Sequence, residues 1–323
     1  MKTPLDRYRN DFAIEFARIM GKYLPMWQKT QKENIKALYT SWVPFYIFMF
    51  LSGFIPGKHE TDYFNNLHIH FWYGIFIVFV VVIIVIGIEN KSFQKSVKKS
   101  LFGKLLKVFC DNVIYPGYVI NGRTYDDSGL LSKKFSTRET DDCFSGRYKD
   151  VPFQIEETEI YNVKTAKKKK DEVVTTLFKG VAMRFVMDKN IKAKVLIFSK
   201  SLMRRTPNGY EKVNFEYEEF NKKYDVYVKD LIGEAQIEVR YLFNTLFLER
   251  FMQLQTAFRV KKLECSVCGR EVLFLLHTNK DLFEMNHLFG KIDDIHQYER
   301  LFNEFSSVLS FIEVLNLSSK TGL

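Results

Sequence analysis

Apolar residues near the start of the chain recur three and four apart, at Leu5, Tyr8, Phe12, Phe16, Ile19, Tyr23 and Met26. That is the period of one face of a helix. An amphipathic helix is expected over residues 1–37, broken near Pro25 because proline removes a backbone donor and crowds the preceding turn. The pattern then becomes continuously apolar. No charged residue lies between Lys36 and Lys58, or between Asp62 and Glu89. A helix needs roughly 20 apolar residues to cross about 30 Å of hydrocarbon. The two stretches therefore predict a transmembrane hairpin over 38–88, with spans at 38–56 and 69–88. Trp42, Trp72 and Tyr73 stand where interfacial anchors belong.

A second helical stripe follows over 89–115, where Phe93, Val97, Leu101, Leu105 and Val108 alternate with Lys91, Lys95, Lys98, Lys99, Lys104 and Lys107. Those six lysines are candidates for contact with anionic lipid headgroups. The same stripe can instead pack on other parts of the chain. Gly117, Asn121-Gly122 and Asp126–Gly129 mark 116–143 as a loop-rich connector.

From Phe144 the period changes to two. Strands are expected at 151–163 and 173–187, around a solvated tip at Lys167–Lys170, and again at 194–199, 210–217 and 224–228. A helix is expected over 234–256. Strands at 257–263 and 271–277 follow, with Cys265–Gly269 as their turn. A last helix, capped by Asp293 or Asp294, carries one apolar face from Ile295 to Leu315. Strands followed by helices without regular alternation predict an α+β domain over 144–323, with a mainly antiparallel sheet and packed helices.

Charge refines this picture. The chain has 48 Lys+Arg against 38 Asp+Glu, a formal net charge of +10. Residues 1–40 hold eight basic and four acidic groups, and 89–107 hold six and one. These two segments thus carry nine of the ten net charges. By the positive-inside rule they place both termini in the cytoplasm. The nearly neutral remainder argues against a nucleic-acid partner. Only four cysteines exclude a disulfide scaffold, and an apolar fraction of 46% excludes a disordered chain.

The marked catalytic classes are missing. There is no phosphate-binding glycine loop, no dinucleotide fingerprint, no nucleophile elbow and no His-Glu-x-x-His pair. Cys265 and Cys268 have the spacing of two zinc ligands, although a hairpin turn with reduced thiols is the simpler reading and a redox pair a third. His68 and His70 suit metal or pH sensing, and Asp141-Asp142-Cys143 offers a carboxylate pair beside a thiol. None of these has a partner that spacing alone identifies, so no catalytic or cofactor residue is assigned.

Three segments together resemble a known family. Phe144-Ser145-Gly146-Arg147-Tyr148 with Pro152-Phe153, Leu177-Phe178-Lys179-Gly180, and Tyr224-Asp225-Val226-Tyr227 leading to Leu248-Glu249-Arg250-Phe251 are similar, in order and spacing, to the bacterial membrane family known as domain of unknown function 3137. The resemblance covers roughly residues 90–320. It implies a bacterial inner-membrane placement and transfers no catalytic residue. The expected function is a membrane-anchored cytoplasmic domain that binds protein or lipid as a scaffold or assembly factor. The alternative is a membrane-bound enzyme with an irregular site, using Cys143 or the Cys265/Cys268 pair. Partner identity and oligomeric state are not encoded in any motif.

Overall fold

A computed structural model of the protein describes residues 7–53, 80, 84, 85, 87, 88, 91–110, 112–165, 172–201, 205–230, 234–280, 283 and 291–320. The chain divides into two compact units. One comprises Met1–Ala13, Gly103–Glu284 and His296–Leu323; the other comprises Ile14–Phe102 and Met285–Ile295.

The second unit takes its described helical residues from α1 (Arg7–Gly53), α2 (91–105) and residues 80, 84, 85, 87 and 88. Phe16, Ile19, Met20 and Trp27 of α1 are buried, as are Val97, Leu101 and Phe102 of α2, so the three-and-four stripes are core faces. The expected break at Pro25 does not occur. The buried stripe continues across it to Trp27, whose ring stacks on Tyr23 with centroids 5.4 Å apart. Burying Met20 and Trp27 contributes about 2 kcal/mol each, enough to offset the ~3 kcal/mol of an interior proline.

The transmembrane hairpin is corrected. Among the described residues, no helix is long and apolar enough to cross a membrane. The uncharged part of α1 runs only from Ala37 to Gly53, a rise of about 26 Å at 1.5 Å per residue, short of about 30 Å of hydrocarbon. Residues 54–56 of the first expected span, and 69–79, 81–83 and 86 of the second, lie outside the described residues. The fold class therefore stands as α+β, with no membrane-spanning helix among the described residues. The multi-pass inner-membrane placement, which rested on the spans, falls with them.

The first unit is built on six antiparallel strands: β1 (Thr137–Tyr148), β2 (Val151–Thr165), β3 (Glu172–Ser199), β4 (Glu211–Val213), β5 (Tyr224–Lys229) and β6 (Lys262–His277). The order is β1-β2-β3-β5-β4, and β6 lies along the other edge of β3. β1 and β2 meet in a two-residue turn with positive φ at Lys149 (45°) and Asp150 (66°), as the right-handed strand twist requires. Two pairs of expected strands are single long ones. The stretches 173–187 and 194–199 join in β3, and β6 continues through Cys265–Gly269, so no turn separates 257–263 from 271–277. The chain bends there instead of turning back. The β3/β6 register shifts between Val186 and Val195, opposite Gly269 with φ +62°, and such bulges sharpen local twist.

Both faces of this sheet are covered. On one, Phe311 of α7 (Ile295–Lys320) packs against Phe185 of β3, Phe247 of α6 (Thr245–Ala257) and Phe274 of β6. On the other, Leu273 and Leu275 join Ile120, Phe178, Leu196 and Tyr125 of α3 (Gly122–Ser128). Val272 to Leu276 are thus apolar without a gap because both sides are core. The helix expected over 234–256 is two, α5 (Glu234–Leu242) and α6. Asn244 starts the second by accepting a 2.9 Å hydrogen bond from the Phe247 N–H. The remaining short helix, α4 (Glu218–Lys223), leads into β5.

Candidate anion-binding cleft

The bend in β6 brings its ends together. Glu264 and His277 are thirteen residues apart, yet Nε2 of His277 lies 2.7 Å from Oε2 of Glu264. A straight strand would separate them by about 43 Å. Around this junction a cavity of about 520 Å³ opens, walled by 176–179 of β3, 259–262 between α6 and β6, and 277–280 after β6. Lys179, Arg259, Lys261, Lys262 and Lys280 line it with His277, and among the described residues no Asp or Glu does.

Arg259 owes its position to the end of α6. The Arg259 N–H donates to the Thr256 carbonyl and the Val260 N–H to the Gln255 carbonyl, both at 3.1 Å. This pair of bonds closes a helix with a residue in the left-handed region, where glycine is usual. Here the residue is an arginine at φ +50°, a conformation that costs an L residue about 1–2 kcal/mol. The strain places a cationic side chain on the cleft wall.

Glu264 is buried beneath the cations, its side chain 3% exposed. Burial opposes its charge, but the His277 hydrogen bond and the Lys262 ammonium 3.0 Å away outweigh burial and hold its pKa below the ordinary value. With Glu264 ionised, Nε2 of His277 carries the proton and donates. Lys179 pairs with Glu159 at 2.7 Å. Arg259, Lys261 and Lys280 have no carboxylate within ion-pairing distance among the described residues. The Thr278 hydroxyl accepts the Lys280 N–H at 3.0 Å, which leaves its own proton free to donate. The arrangement supplies cations and a neutral donor.

The residues singled out from sequence are dispersed. Cys265 is buried and Cys268 exposed on one strand, and burial raises the Cys265 thiol well above its usual pKa. Among the described residues, no three His, Cys, Asp or Glu side chains cluster closely enough to hold a metal. Cys143 is buried and its thiol is pushed up to about 12, chiefly by burial and then by Glu156. Its neighbour Asp142 accepts from the Tyr115 hydroxyl. Glu156 itself, fully buried, accepts from the Tyr125 hydroxyl and the Ile120 N–H at 2.6 Å each and from Arg138 at 3.1 Å. That network ties the segment before α3 onto β1 and β2. Of the six lysines, Lys91, Lys95, Lys99 and Lys107 are exposed, Lys104 is half-buried and Lys98 is buried. His68 and His70 lie outside the described residues. A second cavity of about 540 Å³ beside α3 is lined by Arg123 and Arg184 but also by Asp127 and Glu271, so its charges balance.

Sequence reasoning missed the cleft. Its cations come from three separated segments of a nearly neutral region, and only folding converges them. The left-handed Arg259 leaves no trace in composition.

Fold and cleft together define an α+β protein with a doubly covered antiparallel sheet and a basic cleft. Residues 176–317 match the family described as "Protein of unknown function (DUF3137)", and that stretch of the chain is DUF3137-like. Every cleft-lining residue falls within that stretch. No curated protein matches. Among solved structures, the crystal structure of the mycobacterial trehalose monomycolate transport factor A, TtfA, is similar at 8% identity and a TM-score of 0.29, over 60% of this chain and 93% of that one. That likeness is too weak to bear on fold or function.

Proposed function

We propose that the α+β unit is a non-catalytic binding module that docks an anionic group of a partner molecule in the basic cleft, in a scaffold or assembly role. The observation that carries this reading is the convergence of five cations on one cavity that, among the described residues, has no acidic lining residue and leaves three of the five without an ion pair. Keeping like charges together is unfavourable, and a bound anion relieves it. The buried, protonated thiols of Cys143 and Cys265 support binding over nucleophilic chemistry.

Binding of a labelled polyglutamate peptide to the full chain at low salt tests it by fluorescence anisotropy. The double variant Lys261→Glu/Lys280→Glu should weaken binding by about tenfold or more, since two charge-assisted contacts reverse sign. The control Lys222→Glu/Lys223→Glu, on α4, makes the same change in net charge away from the cleft and should leave affinity within about threefold. Equal losses in both would mean that net charge alone drives binding, and the module reading would fail.

A further inference from the structure

We propose that the cleft selects a phosphoryl group, as a phosphomonoester, over a carboxylate. This rests on the reading of the cleft as an anion site and adds the chemistry of the anion. Glu159 and Glu264 neutralise Lys179 and Lys262, and among the described residues no carboxylate forms an ion pair with Arg259, Lys261 or Lys280. One carboxylate would offset one of these three. A phosphomonoester carries about −1.5 to −2 at pH 7 and offers three oxygens. The donors also suit it in kind. Two flexible ammonium groups act as point charges that follow a tetrahedral set of oxygens, and one guanidinium can grip two oxygens at once. The Thr278 hydroxyl, oriented by the Lys280 N–H, adds a neutral donor. The cavity of about 520 Å³ is in the usual range for a small-molecule site. Its mouth can admit either a soluble ester or the headgroup of a lipid.

The test titrates the full chain by calorimetry with glycerol 3-phosphate and with succinate, two dianions of different geometry. Glycerol 3-phosphate is expected to bind about tenfold tighter than succinate or better, and Lys261→Gln/Lys280→Gln should remove most of that binding. Both substitutions are on exposed side chains, and an unchanged circular dichroism spectrum shows that the fold survives. Flotation with vesicles carrying phosphatidic acid, compared with phosphatidylglycerol, separates the sources. Binding selective for phosphatidic acid assigns the monoester to a headgroup, and binding confined to the free ester assigns it to a soluble metabolite; either supports the proposal. Equal affinity for both dianions overturns phosphoryl selectivity and leaves the anion cleft standing. The same holds if neither dianion binds while polyglutamate binding still depends on Lys261 and Lys280. Dianion binding indifferent to the cleft substitutions overturns both readings.

Discussion

Nε2 of His277 meets Oε2 of Glu264 at 2.7 Å, and this one contact joins the two ends of a sixteen-residue strand. The carboxylate sits where burial alone would neutralise it, and the imidazole and Lys262 keep it charged. It therefore serves as the counter-charge beneath a set of cations that would otherwise repel one another.

Replacing that counter-charge should weaken the fold in a pH-dependent way. The folded pKa of Glu264 lies below the ordinary carboxylate value, so its stabilising effect is fully present above that ordinary value and is lost as pH falls through the folded one. Glu264→Gln should reduce stability at pH 7 by about 1–3 kcal/mol. Urea unfolding of the two proteins should converge as the pH falls through the depressed folded value. A gap that persists undiminished in acid would show that packing, and not charge, explains the loss.

Arg259 allows geometry and charge to be separated. Arg259→Gly and Arg259→Ala remove the same guanidinium, but only glycine occupies φ +50° without a steric penalty. The glycine variant should be more stable than the alanine variant by about 1 kcal/mol, while both bind the anion equally weakly. Identical melting temperatures for the pair would mean that the loop relaxes out of the left-handed region once the arginine is gone.

The same residues show what the sequence could convey. The stripe from Phe12 to Ile19, the apolar face from Tyr298 to Ile312, the alternation after Phe144 and the α+β content all follow from local periodicity, and each is present among the described residues, whereas Met26 is exposed. The strand Lys262–His277 was misread because Cys265–Gly269 has the composition of a turn; only pairing with β3 on one edge keeps it extended. The apolar run before Gly53 was misread because apolar length alone signals a span. The cleft was illegible for another reason. Lys179, Arg259 and Lys280 are unremarkable surface residues in their own segments, and the bend in β6 makes them neighbours. In the sequence His277 is a histidine nine residues beyond Cys268, whereas its partner is a glutamate at the far end of the strand.

Gly180 lies where β3 passes close to the backbone of β6. Its φ is +144°, and a Cβ added there would lie 2.0 Å from the Leu276 carbonyl oxygen, well inside van der Waals contact. Because the obstacle is backbone, neither strand can yield without losing register. Gly180→Ala should cost about 3 kcal/mol or more, at the severe end for a single substitution. Denaturant melts check the magnitude; a change under 1 kcal/mol would show that the strands separate there freely.

Glu304 makes the opposite pH prediction from Glu264. Its side chain is 2% exposed, Arg300 is 3.7 Å away, and Oε2 is buried with no hydrogen-bond partner among the described residues. Burial pushes its pKa up to about 7, against the weaker pull of Arg300 and Arg259. Below pH 4.5 the folded and unfolded chains both hold the proton. Between 4.5 and 7 only the folded chain holds it, so stability falls across that window and levels off above it. Glu304→Gln removes the titration while keeping shape. Relative to the parent, the variant should gain about 1–3 kcal/mol between pH 5 and pH 8. Thermal unfolding of both proteins across that range reads the difference directly. Parallel profiles would mean that Arg300 and Arg259 already keep Glu304 charged in the native state.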